Sequence, residues 1–318
     1  MRGWWQDFAD LVLPGECGGC GAPRAVLCAR CRAVLDGAGV RRVRPVPEPP
    51  GLPVVHAAAR YADEVRATLL AHKERGALAL AGPLGAALAG AVRAGLRGAW
   101  SPGGQRWSRR AGDTVLLVPV PSGRRAVRAR GHDPARRIAL AAAAELRRGG
   151  VPARVLGVLR QRRAVFDQSG LNSRQRLDNL AGALAVVPGG AGLLTAGPVV
   201  LVDDVMTTGA SLAEAARAVR AVALGQPMPY GVPHGVPHGV PYGPRSGLIS
   251  HARRTMAVYG GETWESREEQ YVGTRRERTG RRPGRQGMAG ADGAAGVGDV
   301  VCAAVVAAPP DSFEINRN

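Results

Sequence analysis

Lysine and aromatic residues are scarce in this chain of 318 residues. Lys73 is its single lysine, so 42 of the 43 basic residues are arginine, and this bias indicates codon usage before it indicates selection. The formal net charge of +18 therefore overstates the case for nucleic-acid binding. Aromatic residues make up only 4% of the chain, which leaves few platforms on which single-stranded bases could stack.

Long apolar runs are missing as well. The sequence has no stretch of about 18 uncharged apolar residues, which predicts that the chain does not span a membrane. Residues 1–13 contain Asp7 and Asp10 and lack the apolar core and small-residue cleavage site of a secretory signal. We therefore expect a cytoplasmic protein.

Cysteine occurs only five times, and four of these residues form two Cys-x-x-Cys pairs. Cys17 and Cys20 form the first pair, and Cys28 and Cys31 form the second. Four thiolates at this spacing can close a tetrahedral site with no open position, which predicts a structural Zn²⁺ ion. An iron–sulfur cluster is the alternative. Cys302 lies in an apolar run, where we interpret it as a core residue.

Composition divides the chain into four zones. Residues 1–40 form a small cysteine module, and the proline-rich residues 41–53 form a linker that can make neither a helix nor an interior strand. A domain of alternating apolar and Ala/Leu/Arg-rich stretches occupies residues 54–222 and resumes at 292–318. Residues 223–291 contain a Gly-Val-Pro repeat and a charged tract, which predicts a disordered insertion.

Within the domain, short apolar runs predict strands and longer periodic stretches predict helices. The predicted strands are 115–119, 155–159, 183–187, 199–202 and 299–307, and the predicted helices are 134–148 and 212–222. Strands that alternate with helices favour an α/β fold, with a parallel sheet flanked by helices on both faces.

The most informative stretch is Val-Asp-Asp-Val-Met-Thr-Thr-Gly-Ala-Ser at residues 202–211. An apolar strand leads into two carboxylates, and a turn with three hydroxyl groups then leads into a helix. Backbone N–H groups at a helix N-terminus bind phosphate, and neighbouring carboxylates can hold sugar hydroxyls or the shell of a divalent cation. An ordinary helix cap needs one acidic or hydroxyl side chain, whereas this stretch supplies five, namely two aspartates, two threonines and a serine.

This stretch resembles the phosphoribosyl-diphosphate (PRPP) motif of type I phosphoribosyltransferases. Together with the cysteine module, it is similar to the ComF family of competence proteins. Residues 61–76, which include His-Lys-Glu-Arg-Gly at 72–76, resemble a further segment of that family, as do residues 118–131 and 160–179. The chain departs from the family at residues 132–134, which read His-Asp-Pro in place of Phe-Asn-Gln, and in the insertion at 223–291.

The resemblance implies a type I phosphoribosyltransferase-like sheet behind a small zinc-binding ribbon. It implies that Asp203 and Asp204 hold the ribose 2′ and 3′ hydroxyls and act with Lys73 in catalysis. The implied 5′-phosphate residues are Thr207, Thr208, Gly209, Ala210 and Ser211, and the implied diphosphate residues are Ser122, Gly123, Arg124 and Arg125, with Arg174 or Arg176. His72 and His132 have no acidic partner at a recognisable spacing, so neither is assigned a catalytic role.

The implied reaction is displacement of pyrophosphate from PRPP, or from a related sugar phosphate, by a nitrogen acceptor, with Mg²⁺ on the diphosphate. The implied biological role is in DNA uptake. An alternative is a non-catalytic protein that keeps the phosphate pocket and handles single-stranded DNA beside the uptake helicase machinery.

Overall fold

The computed structural model describes residues 15–37, 39–99, 113–163, 165, 172–224 and 300–313. Its strands are β1 (Arg41–Val43), β2 (Val55–Arg60), β3 (Val115–Pro119), β4 (Ala153–Val155), β5 (Leu159–Gln161), β6 (Leu184–Val186), β7 (Val199–Val205) and β8 (Val300–Ala308). Its helices are α1 (Ala29–Gly37), α2 (Asp63–Glu74), α3 (Ala81–Ala99), α4 (Arg124–Arg130), α5 (Pro134–Arg148), α6 (Ser173–Leu180), α7 (Gly190–Leu193) and α8 (Ala210–Ala223).

Six strands form one sheet in the order β1-β2-β8-β7-β3-β4. The five strands from β2 to β4 run parallel, and β1 pairs antiparallel with β2 at one edge. The predicted parallel sheet of an α/β fold is therefore confirmed. The short edge strand β1 lies inside the segment that we interpreted as a linker, where Val43 is buried and proline begins only two residues later.

Helices cover both faces of the sheet. On one face, α3 and α5 bury Leu84, Leu88 and Ile138 against strand residues such as Leu117 and Val202. On the other face, α8 and the strands β5 and β6 pack over the alternate strand residues, which include Leu116, Val118 and Leu201. The near-continuous apolar sequence of the central strands follows from this burial on both sides.

The predicted strand at 155–159 is divided between two sheets, with only Val155 in the main sheet, and the predicted strand at 183–187 does not join the main sheet. Strand β4 ends at Val155, and the chain leaves the sheet through residues 156–158 before β5 begins. Strands β5 and β6 then pair with each other, antiparallel, in a separate two-stranded sheet. The predicted assignment to the parallel sheet is therefore wrong, because a short apolar run does not reveal which partner strand it will meet.

The last predicted strand is confirmed. Strand β8 pairs in parallel with β2 on one side and β7 on the other, so it lies in the interior of the sheet. Contacts divide the chain into one compact unit, residues 1–228 with 294–318, and a second unit, residues 229–293. The predicted insertion lies outside the described residues apart from its first two positions, which end α8.

One helix in the described part of the chain has the length and apolar composition to cross a membrane. It comprises residues Leu78–Ala99, and half of its most apolar window is buried inside the protein. Its buried side chains, among them Leu88 and Val92, face β2, β8 and α5. This is the packing of a core helix against a sheet.

Candidate functional site

The two adjacent carboxylates lie near the carboxyl end of the central strand β7. Successive strand residues point to opposite faces, so Asp203 and Asp204 leave β7 on opposite sides. Asp204 is buried, with 5% of its surface exposed, whereas Asp203 is half-buried. The Asp204 backbone N–H donates to Oδ1 of Asp203 at 2.8 Å, and that of Val205 donates to Oδ1 of Asp204 at 2.9 Å.

The sheet connections diverge at this point. From β7 the chain passes through α8 and on to β8 on one side, whereas from β3 it passes through α5 to β4 on the other side. Helices α8 and α5 accordingly lie on opposite faces of the sheet. Strands β7 and β3 are neighbours, so a crevice opens beyond their carboxyl ends. In open α/β sheets this crevice is where ligands bind.

A cleft of about 490 Å³ occupies this crevice. Its lining includes residues that follow β3, residues that follow β7, and the carboxyl end of α2. Seven of the predicted site residues line it: Lys73, Ser122, Gly123, Asp203, Asp204, Thr207 and Ser211. The sequence motifs at three distant positions in the chain therefore converge on one cleft.

Lys73 pairs with Asp204 across this cleft. Its Nζ donates to Oδ2 of Asp204 at 2.8 Å, and the side chain of Lys73 is 35% exposed while that of Asp204 is 7% exposed. Burial raises the pKa of the Asp204 carboxyl, but the Lys73 ammonium, the Asp203 side chain and the backbone N–H of Val205 together lower it more, and the net pKa lies below its ordinary value. Burial lowers the pKa of Lys73, and the attraction of Asp204 reverses this to give a raised pKa.

Burial and the neighbouring charge of Asp204 raise the pKa of Asp203 well above the usual range for an aspartate. The charge of Lys73 lowers the pKa of Asp203, but by less than burial and Asp204 raise it. The two carboxyl groups therefore differ in character, since Asp204 is held ionised and Asp203 is driven toward its neutral form. A ligand that donates hydrogen bonds to Asp203 favours the ionised form.

The turn after β7 leads directly into α8. Gly209 adopts φ +74°, and a Cβ there would lie 3.1 Å from Leu52, so the position requires glycine. Thr207 is exposed at the cleft, and Ser211 lines it in the first turn of α8. Thr208, Gly209 and Ala210 shape the turn but are not among the side chains that line the cleft.

The predicted arginines lie at different distances from the cleft. Arg124, Arg125 and Arg174 are exposed and do not line it. Arg176 comes closer, since its Nη1 donates to Oγ1 of Thr207 at 3.5 Å. Arg130 lines the cleft and pairs with Glu74 at 3.0 Å. These last two contacts place cationic groups at the edge of the site.

Sequence reasoning missed most of the apolar wall of the cleft. This wall and its single amide comprise Tyr61, Leu69, Leu70, Val120, Gln161, Val165, Leu180 and Leu184. The β5–β6 sheet and the end of α6 supply Gln161, Leu180 and Leu184. Gln161 lies within the 160–179 segment that resembles the family, whereas nothing in the local sequence of Leu180 and Leu184 indicates a site. Leu69 and Leu70 lie on α2 one turn before Lys73, within the 61–76 segment that resembles the family, and this position is the signal that could have found them.

The residues that depart from the family pattern have structural roles. Asp133 caps α5, because its Oδ1 accepts from the backbone N–H of Arg136 at 3.1 Å, and its Oδ2 lies 3.4 Å from the backbone N of Ser122. His132 is buried, and its ring lies 5.6 Å from that of His72. Its Nε2 lies 3.2 Å from the backbone oxygen of His72. These contacts join residues 132–133 to Ser122, which lines the cleft, and to His72, which precedes Lys73.

The four cysteine thiols of the N-terminal module converge at a second location. The sulfur atoms of Cys17, Cys20, Cys28 and Cys31 all lie within 4.8 Å of one another, and those of Cys20 and Cys28 are 3.6 Å apart. All four thiols are free. The donor set suits a structural Zn²⁺ ion, because four sulfur ligands fill its tetrahedral shell.

Local backbone geometry prepares this cysteine cluster for an ion. The backbone N–H of Cys28 donates to Sγ of Cys17 at 3.3 Å, and that of Cys31 points to Sγ of Cys28 at 3.5 Å. Burial raises the pKa of Cys17, but backbone N–H groups of Cys20, Cys28 and Gly19 lower it to about 6. These N–H groups favour the thiolate, which is the form that binds metal.

The chain matches no protein-family model, and no curated protein is significantly similar to it.

Proposed function

We propose that the cleft binds PRPP, or a closely related sugar phosphate, and that the protein is a ComF-type phosphoribosyltransferase. The observation that carries the proposal is the position of the Asp-Asp and Thr-Thr-Gly-Ala-Ser residues. The two carboxylates lie in the last residues of β7, and the turn follows that strand directly, beside the residues that follow β3 and where the connections of the sheet diverge.

Each part of PRPP has a complementary group in this arrangement. The 5′-phosphate faces the Thr207–Ser211 turn, whose N–H groups and hydroxyls open the 14-residue helix α8. The ribose hydroxyls donate to Asp203 and Asp204, and the diphosphate lies toward Ser122. Lys73 and Arg130 supply the positive charge on that side of the cleft.

The proposal includes an Mg²⁺ ion that binds together with the diphosphate of PRPP. In the described ranges, the one group of three or more metal-ligating side chains is the cysteine cluster, so the cleft offers no preformed cage for Mg²⁺. This fits an ion that keeps most of its ligands from water and substrate phosphates. When bound, Mg²⁺ neutralises charge on the departing diphosphate.

The proposed reaction depends mainly on how the protein positions the ribose, the diphosphate and the acceptor. The bond from ribose C1 to the diphosphate oxygen breaks, a bond from C1 to a nitrogen acceptor forms, and the acceptor nitrogen loses its proton. The chain contributes by fixing the ribose on two carboxylates and by placing cations beside the leaving diphosphate. The apolar wall around Leu69 and Leu184 excludes water from the reacting carbon.

Calorimetry with PRPP and Mg²⁺ tests the proposal. We expect saturable binding by the wild type and at least about 10-fold weaker binding by Asp203→Asn, because hydrogen bonds to a carboxylate are lost. Asp178→Asn is the matched control, since Asp178 is exposed on α6 and does not line the cleft. No binding by the wild type, or equal binding by both variants, contradicts the proposal.

The alternative function, handling of single-stranded DNA during uptake, is favoured by a different observation. Arg124, Arg125 and Arg128 are exposed along α4, whose residues Ala126 and Arg130 line the cleft. Phosphate contacts by arginine weaken steeply as salt increases. Fluorescence anisotropy with labelled single strands at two salt concentrations tests this function, and the absence of binding at low salt removes it.

A further inference from the structure

The cysteine module packs directly behind helix α2. A Cβ at Gly19 would lie 2.8 Å from Sγ of Cys31 and 3.0 Å from Oγ1 of Thr68, so the backbone of the first cysteine pair touches the helix. Thr68 is 2% exposed. The adjacent Gly18 lies close to Leu80, because a Cβ at Gly18 would lie 2.6 Å from Cδ1 of Leu80.

Further contacts join the same two parts. Arg30 forms an ion pair with Glu64 of α2. Cys17 and Cys31 belong to the same buried cluster as Leu69 and Leu80, so the module and α2 share one core. The ion pair is largely exposed on the Arg30 side and contributes little by itself, which leaves the close packing as the main connection.

The opposite side of α2 faces the cleft. Leu69, Leu70 and Lys73 line the cleft, and Lys73 reaches across it to Asp204. Helix α2 therefore lies between the cysteine cluster and the candidate site. Thr68 and Lys73 are five residues apart, about 7.5 Å along a helix, so a shift at one end reaches the other through a single rigid element.

We propose that the metal-loaded cysteine module positions Lys73, so that the Lys73–Asp204 ion pair forms fully only when the four thiolates hold an ion. The metal fixes the backbone of residues 17–20 and 28–31. Thr68 packs against this backbone at Gly19. Without the ion, no metal–sulfur bonds link the two cysteine pairs to each other, and this backbone is free to move away from Thr68. Helix α2 then loses its support, and the Nζ of Lys73 loses its place beside Oδ2 of Asp204.

The proposal concerns one ion pair and does not depend on which ligand the cleft binds. It assigns Gly19 and Thr68 as positioning residues that act on the cleft through Lys73. Loss of metal, or oxidation of the thiols, would then alter the cleft as well as lower the stability of the fold.

The single lysine makes this coupling directly observable. Reductive methylation with ¹³C-formaldehyde labels Lys73 and the terminal amine alone, and it keeps the positive charge of the lysine. The ¹³C-methyl chemical shift then reports the surroundings of Nζ. Labelled Asp204→Asn supplies the signal position of a lysine without its partner.

We expect chelation of the metal from the wild type to move the Lys73 signal to the position found in Asp204→Asn. A chelated protein that still unfolds cooperatively but keeps the wild-type signal overturns the proposal. Should chelation unfold the chain, Gly19→Ala decides the question, because its methyl group presses on Thr68.

We expect Gly19→Ala, with its metal content measured, to shift the Lys73 signal toward that of Asp204→Asn. Gly82→Ala is the matched control, since a Cβ there meets nothing within 4 Å. A Gly19→Ala spectrum that superimposes on those of the wild type and of Gly82→Ala overturns the proposal.

Discussion

The neighbouring carboxyl groups of Asp203 and Asp204 carry opposite pKa shifts, and it is Asp204 that forms the hydrogen-bonded ion pair with Lys73. Burial and the charge of Asp204 raise the pKa of Asp203, whereas Lys73, Asp203 and the backbone N–H of Val205 together outweigh burial and lower the pKa of Asp204. The sequence predicted both residues from their pattern. It could not distinguish their states, because the difference depends on a lysine 131 residues away.

At the residue scale, the same substitution is expected to have opposite effects at the two positions. At pH 7, Asp203→Asn should raise the free energy of unfolding by about 1 kcal/mol, because folding then no longer disfavours the ionised form of a carboxyl group at this position. Asp204→Asn should lower it by about 1–3 kcal/mol, because the Lys73 ammonium loses its partner. Urea unfolding measures both values, and changes of the same sign would contradict the assigned charge states.

The stability of the wild type should also depend on pH through Asp203. Its pKa is about 4 in the unfolded chain and is raised in the folded protein, so between these values the folded state binds more protons. The free energy of unfolding therefore falls as pH rises through this window. Asp204, with its lowered pKa, contributes in the opposite sense, and its stabilisation is lost as pH falls through its folded pKa.

Urea midpoints between pH 4 and pH 8 test this dependence, with Asp203→Asn as the reference. The difference between wild type and variant isolates Asp203 from other titrating groups. We expect the wild type to lose stability relative to the variant as pH rises. A constant difference across the range would mean that Asp203 has no raised pKa.

At the scale of elements, helices α3 and α5 approach closely through Gly85. A Cβ at Gly85 would lie 2.4 Å from Cβ of Ala141 and 2.8 Å from the backbone N of Ala142. Gly85→Ala should therefore force the helices apart and lower the free energy of unfolding by about 1–3 kcal/mol. Gly82→Ala in the same helix, which meets nothing within 4 Å, should be neutral or stabilising by up to about 1 kcal/mol.

Thermal unfolding of the two alanine variants measures this contrast. Both variants increase helix propensity equally, so a difference between them reports packing alone. Equal stability would show that α3 does not press against α5, and would remove the reason for describing Leu78–Ala99 as a core helix.

Comparison of the predicted with the observed strands and helices shows which elements the local sequence can predict. Predicted strand 115–119 matches β3, because its continuous apolar run suits a strand buried on both faces. Predicted helix 134–148 matches α5, because it is long and periodic and has Asp133 and Pro134 at its start. The segment at 155–159 failed, since its apolar residues serve two different sheets. The cleft wall formed by Gln161, Leu180 and Leu184 depends on that second sheet and could not be predicted either.

At the scale of the molecule, the cysteine module and the helical layer form one core. Cys17, Leu27 and Leu35 pack in the same cluster as Leu84 and Leu88. Chelation should therefore lower the thermal midpoint of the whole unit in a single transition. A loss of several kcal/mol would shift the midpoint by about 10 °C in a domain of this size.

Circular dichroism during heating, with and without chelator, measures this shift. Cys302→Ala is the control, because Cys302 lies within β8 and should leave the metal content unchanged. Two separate transitions after chelation would show that the module folds apart from the sheet.

The central claim is that the cleft beyond β7 and β3 holds a phosphorylated ribose, and a crystal structure with PRPP and Mg²⁺ tests it most directly. We predict the 5′-phosphate on the Thr207–Ser211 turn, the ribose hydroxyls on Asp203 and Asp204, and the diphosphate toward Ser122 and Lys73. An empty cleft at saturating PRPP, or PRPP bound elsewhere on the protein, would contradict the account.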